Sequence, residues 1–172
     1  MFRPQYLTVP VVGIICWAAT ACRVAAIAPE IKDDGKFFSA EAIKKGNEQI
    51  REIMRKYDTD LLIETYSAAP ADQIDKLKKQ SSQERSKFFH TWAVDRSNAV
   101  VVKGVYILIC KDPPHLQIEI SPKMRSAFDN RARDHLVELL LAELQKKRYD
   151  QALESAINYV NEKLAGPVPA KQ

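Results

Sequence analysis

The sequence predicts an α/β fold, a three-layer α/β/α sandwich built on a small mixed sheet. Three observations carry that reading. Gly104-Val105-Tyr106-Ile107-Leu108-Ile109-Cys110 is apolar at successive positions, so a strand there has to be covered on both faces. Leu61 to Tyr66 is a second strand-forming run, and a polar helical stretch separates the two. A strand–helix–strand unit gives a parallel pair with a right-handed crossover. Amphipathic helical patterns before the first strand and after the last supply the covering layers.

Taken in order, the chain opens with a segment unlike the rest. Pro4 to Cys22 contains no charged residue, Arg3 and the amino terminus are the only positive groups ahead of it, and the apolar core runs from Leu7 to Ala21. Ala19-Thr20-Ala21 has the small-x-small pattern of a signal-peptidase site. Residues 1–21 therefore read as a signal peptide or N-terminal anchor. The uncharged stretch is 19 residues, just enough to span a bilayer if retained. Lipidation at Cys22 is a third fate, with Ala19 standing where a lipobox usually has leucine. All three imply an extracytoplasmic domain, whether periplasmic, secreted or lumenal.

Residues 22–38 read as a linker leading into the domain, with Pro29 and Asp33-Asp34-Gly35 as turn formers. The domain proper is read over 39–165. Ser39 is the expected N-cap of a helix with Glu41 in its first turn and Ile43, Ile50, Ile53, Met54 and Tyr57 on one face. Asp58-Thr59-Asp60 breaks it before the strand from Leu61. After the turn at Ala68-Ala69-Pro70, one helix is expected from about Ala71 to Thr91. Its middle, Lys78 to Lys87, has no large apolar residue, so only the end with Phe88, Phe89 and Trp92 docks on the sheet. Lys111 to Pro114 is a short turn. Leu116, Ile118 and Ile120 then alternate with Gln117 and Glu119, the pattern of a half-exposed strand antiparallel to its predecessor. Two helices close the domain, at about Phe128–Lys147 (Leu136, Leu139, Leu140 and Leu144 inward) and Tyr149–Leu164 (Leu153, Ile157, Val160 and Leu164 inward). Residues 166–172 form a polar tail.

Composition narrows the function. Without residues 1–21 there remain 25 basic and 22 acidic side chains, too even a balance for nucleic acid. Among the three cysteines, Cys16 lies in the export segment and Cys110 ends an apolar strand, so no disulfide framework or zinc spacing exists. The five glycines form no phosphate-cradling loop, and no nucleophile elbow is present. His90, His115 and His135 lack a defensible triad partner by spacing. Asp33 and Asp34 are the candidate metal ligands, since loop-end carboxylates offer hard oxygens to Ca²⁺. The same residues also suit a helix N-terminus through its dipole.

Four stretches, in order and spacing, resemble the TPM domain family, whose members include thylakoid-lumen phosphatase-like proteins, photosystem II repair factors and a receptor modulator. They are Ile31-Lys32-Asp33-Asp34-Gly35-Lys36-Phe37-Phe38-Ser39, Phe88-Phe89-His90-Thr91-Trp92, Lys103-Gly104-Val105-Tyr106-Ile107-Leu108-Ile109, and Leu116 to Ile120. The resemblance spans about residues 30–165 and implies the same three-layer sandwich. It also implies an exported or membrane-attached setting, with weak acid phosphatase activity in some members, divalent-cation binding in others and accessory roles in the rest. The chain departs from the pattern at Val102, where an acidic residue usually stands two positions before the strand glycine. It departs again at Ser121-Pro122-Lys123-Met124, which replaces a glycine-rich turn, and at Ala93 after Trp92. Fewer carboxylates mean weaker cation binding.

These readings together make the domain a non-catalytic binding or accessory module at an extracytoplasmic membrane face. Its expected partner is a membrane or extracytoplasmic protein. A weak metal-assisted acid phosphatase and a Ca²⁺-binding domain are the alternatives.

Overall fold

A computed structural model describes residues 28–166. The export segment, Cys22 and the tail beyond Gly166 lie outside the described residues. The domain is the expected mixed α/β sandwich. Its sheet has four strands in the order β1 (Lys32–Asp33), β2 (Leu61–Tyr66), β3 (Val105–Cys110), β4 (His115–Ile120). β1 and β2 are parallel, as are β2 and β3, whereas β3 and β4 form an antiparallel hairpin. The short turn after Cys110 allows only the hairpin, while the helical crossover returns β3 parallel to β2.

Strand alternation divides the core in two. Leu61, Ile63, Val105, Ile107 and Ile109 point to one face and pack under α1 (Ala40–Tyr57), α4 (Asn130–Gln145) and α5 (Tyr149–Ala165). Leu62, Tyr106, Leu108 and Cys110 point to the other, beneath α2 (Ile74–Lys79) and α3 (Ser82–Ala99). Every residue of β3 is buried, which is what its unbroken apolar run requires. α1 buries Ile50 and Ile53 and starts at Ser39, whose hydroxyl accepts from the Ala42 amide at 3.1 Å. Leu136 and Leu140 of α4 and Leu153, Ile157 and Val160 of α5 fill the same core.

Two expectations are corrected. The polar helix is two helices, with Gln80 and Ser81 between them. Ser81 and Glu84 form a reciprocal capping box, which restarts the helix and carries it to Ala99, well past Thr91. The stretch read as linker also contains β1, and its Ala28 and Ile31 are buried in the main core. Only two residues of β1 pair with β2, too few for any period-two signal.

Candidate functional site

Ligands of open α/β sheets sit beyond the carboxyl ends of the parallel strands. Asp33, Tyr66 and Cys110 end the three parallel strands on that side. The Asp33 carboxylate folds over the following loop. It accepts from the amides of Phe37 (3.0 Å) and Phe38 (2.9 Å) and from the Thr65 hydroxyl. Thr65 Oγ1 in turn accepts from the Gly35 amide at 3.0 Å. Gly35 has no room for a side chain, because a Cβ would meet Thr65 Oγ1 at 2.8 Å.

The two candidate ligands thus have different surroundings. Asp33 pins the loop with both oxygens engaged, whereas Asp34 is exposed. A nearby carbonyl, that of Lys36, accepts from the Lys111 ammonium at 3.2 Å, and that ammonium also lies 4.6 Å from the centre of the Phe37 ring. Ca²⁺ needs six to eight oxygens. Among the described residues no three His, Cys, Asp or Glu side chains converge. Val102 lies before the amino end of β3, at the opposite end of the strands from Asp33, so an acid there would not complete an Asp33 site. The donors around Asp33 do not fit a calcium cage.

Beside this loop runs a groove of about 560 Å³ between the β3–β4 hairpin, α4 and α5. Phe37, Leu116, Val137, Leu141, Leu144 and Tyr149 make its walls, with Lys111 and His115 at the strand ends. Leu141 is one of the few large apolar side chains left open, at 39% exposure. Tyr149 meets Phe37 edge-on at 5.2 Å and so couples the groove wall to the loop that Asp33 organises.

The opposite face of the sheet holds an ionic cluster that sequence reading missed. Glu64, in the middle of β2, has a side chain only 1% exposed. Its Oε1 accepts from Lys32 Nζ (2.9 Å) and Arg96 Nη2 (2.6 Å), and its Oε2 from Arg96 Nε (2.9 Å), Tyr66 Oη (2.7 Å) and Tyr106 Oη (2.7 Å). Burial pushes the carboxyl pKa up, but the hydrogen bonds from Arg96, Lys32, Tyr66 and Tyr106 outweigh it and hold the group at about 2. Burial and the adjacent carboxylate push both tyrosines up. A carboxylate so saturated has no lone pair free to take a proton from a substrate, and it acts as a structural anchor. The sequence signal was there: one acid inside an otherwise apolar strand needs partners.

The TPM domain model matches residues 31–163. The chain belongs to the TPM domain family. Solved structures agree on the fold. The N-terminal domain of a protein from P. gingivalis superposes with a TM-score of 0.61 at 11% identity, covering 79% of this chain and 82% of that one. The N-terminal domain of the cg2496 protein from Corynebacterium glutamicum gives 0.56 at 10% identity, covering 84% of each chain. The BA42 protein from Bizionia argentinensis gives 0.54 at 15% identity, covering 80% of this chain and 88% of that one. No curated protein matches the sequence.

Within this TPM domain the aromatic motif is mainly packing. Phe89 is fully buried, and Trp92 packs with its ring tilted against Tyr66, centroids 4.6 Å apart, Tyr66 being one of the donors to Glu64. His115 lies flat on Phe89 at 4.0 Å, and burial lowers its pKa. His90 Nδ1 lies 2.7 Å from Glu119 Oε1, which Gln117 Nε2 also approaches at 2.9 Å. His135 is exposed on α4 and leans on Tyr159 at 5.1 Å. Cys110 is a buried free thiol whose burial pushes its pKa to about 11, so it is a poor nucleophile near neutral pH.

Proposed function

We propose that this TPM domain is a non-catalytic binding or accessory module that works at an extracytoplasmic membrane face. The observation that carries the reading is the apolar groove at the carboxyl ends of the parallel strands. That is where α/β domains bind ligands, and its walls are hydrocarbon and aromatic. The neighbouring acid, Asp33, is committed to holding the loop that forms one wall. Such a groove suits an apolar side-chain ridge on a membrane or exported protein. The uncharged stretch from Pro4 to Cys22 supports the location.

A photo-crosslinking amino acid placed at Leu141 in the full chain, in cells, tests the groove. The expected result is one discrete adduct with a membrane or exported protein. The same probe at Glu138, one turn earlier and outside the groove walls, should give none. Equal labelling from both positions, or none from Leu141, would refute groove-mediated binding.

A further inference from the structure

At the opposite end of the strands, the turn from α3 into β3 displays apolar side chains under backbone strain. Val101 is 67% exposed and Val100 is 40% exposed. Val101 also has φ +54°, a left-handed conformation that a β-branched residue rarely adopts. Strain of this kind persists only where the surroundings fix it. Here the amides of Val101 and Val102 donate to the carbonyls of Asn98 (3.1 Å) and Ser97 (2.9 Å). Asp60 grips the other side: its carboxylate accepts from the Lys103 amide at 2.7 Å and its carbonyl from the Val105 amide at 2.9 Å. The fold thus holds two valines out into solvent where a relaxed polar turn would have served.

The chain's own path says what this turn faces. Ala28 and Pro29 line the same groove as Val100 and Val101. Ala28 is six residues beyond Cys22, the end of the uncharged stretch. Even fully extended, six residues reach only about 20 Å. A retained segment, or a lipid on Cys22, would therefore hold this end of the domain against the bilayer. Lys103 is exposed beside the valines, and the nearby Glu30 is paired with Arg51 at 3.5 Å. A cation beside an apolar tip matches an anionic headgroup layer.

We propose that Val100 and Val101 form a membrane-contacting tip that seats in the headgroup–acyl boundary of an anionic bilayer, beside the point where residues 1–27 join the domain. The proposal rests on the membrane-face reading above and adds the surface that makes the contact. The tip orients the domain so that the apolar groove, at the far ends of the strands, points away from the lipid.

The test uses the full chain with Trp17→Phe, reconstituted in vesicles of phosphatidylcholine containing one part in about five of phosphatidylglycerol, an anionic surface, and the emission of the remaining Trp92 is subtracted with the Trp17→Phe parent measured alongside. Val101→Trp should be quenched at least about two-fold by lipids brominated high on the acyl chain, as interfacial insertion requires. Val100→Trp, at a position with an ordinary backbone (φ −104°), should behave the same way and guards against misfolding of the first variant. Gln145→Trp, at the groove end, should show no quenching. Flotation separates the outcomes. A chain that floats with vesicles while both tip variants stay unquenched overturns the tip and leaves the membrane-face reading standing. A chain that does not float overturns both. A blue-shifted tip in vesicle-free buffer that gains no quenching on adding vesicles means that residues before Ala28 cover the valines, and it overturns the tip as well.

Discussion

Glu64→Ala is expected to lower the unfolding free energy by about 3–5 kcal/mol, the usual cost of removing one partner from a buried ionic cluster. The loss has identifiable parts. Tyr106 is fully buried and loses the acceptor of its hydroxyl, Tyr66 loses the same acceptor, and Arg96 and Lys32 lose their shared anion. For a domain of this size the melting temperature should fall by about 10 °C.

Glu64→Gln isolates the charge. Glu64 titrates at about 2 in the folded protein and at the ordinary 4.5 when unfolded. Between these values the unfolded chain binds the extra proton, so stability rises with pH there. The contribution is fully present above about pH 4.5 and is lost as pH falls toward 2, a span worth about 3 kcal/mol. Thermal melts from pH 6 to pH 2.5 should fall more steeply for the natural chain than for Glu64→Gln. Parallel slopes would show that the carboxylate is not held ionised by the cluster.

Gly104→Ala is the second large expected effect. A Cβ at Gly104 would lie 1.9 Å from the carbonyl oxygen of Asp60 and 2.8 Å from its nitrogen and carbonyl carbon. All three atoms are backbone, so no rotamer change relieves the clash, and β2 and β3 would have to separate at Leu61 and Val105 where they first pair. Overpacking typically costs 1–3 kcal/mol, and a backbone clash belongs at the upper end, about 3 kcal/mol. Denaturant titration should show that loss. Full stability in Gly104→Ala would mean that the strands do not approach as described. The role of this glycine is close approach of two backbone segments, since its φ is not in the left-handed region.

The sheet was legible because its signals were strong. The unbroken apolar run of β3 declared a central strand, and the alternation of Leu116, Ile118 and Ile120 declared an outer one. Ser39 declared a helix start by its side-chain chemistry. Ser81-x-x-Glu84 has the same cap chemistry, but it lies inside the stretch expected to be one helix from Ala71 to Thr91. β1 escaped because two residues hold no periodicity and its support, Asp33 reaching forward to Phe37 and Phe38, resembles any Asp-containing turn.

The site was less legible for a different reason. Asp33 was identified as a functional candidate, but whether a loop carboxylate faces a cation or backbone amides depends on how the loop folds. Glu64, Arg96, Tyr66 and Tyr106 are scattered across β2, α3 and β3, and only the crossover brings them together. The same crossover sends Val102 to the end of the sheet away from Asp33.

The role of Asp33 is where a binding module and a metal-assisted phosphatase differ most sharply. The decisive measurement is hydrolysis of a generic phosphomonoester by the purified full chain, with Ca²⁺ or Mg²⁺ added, run beside Asp33→Asn and with thermal melts of both proteins. The expected result is no turnover above the protein-free rate from either chain and no calcium-dependent rise in melting temperature. Asp33→Asn should lose about 1–2 kcal/mol of stability, since an amide cannot accept from all three donors around it. Metal-dependent turnover by the natural chain, abolished in a still-folded Asp33→Asn, would contradict the non-catalytic role and make Asp33 part of an active site.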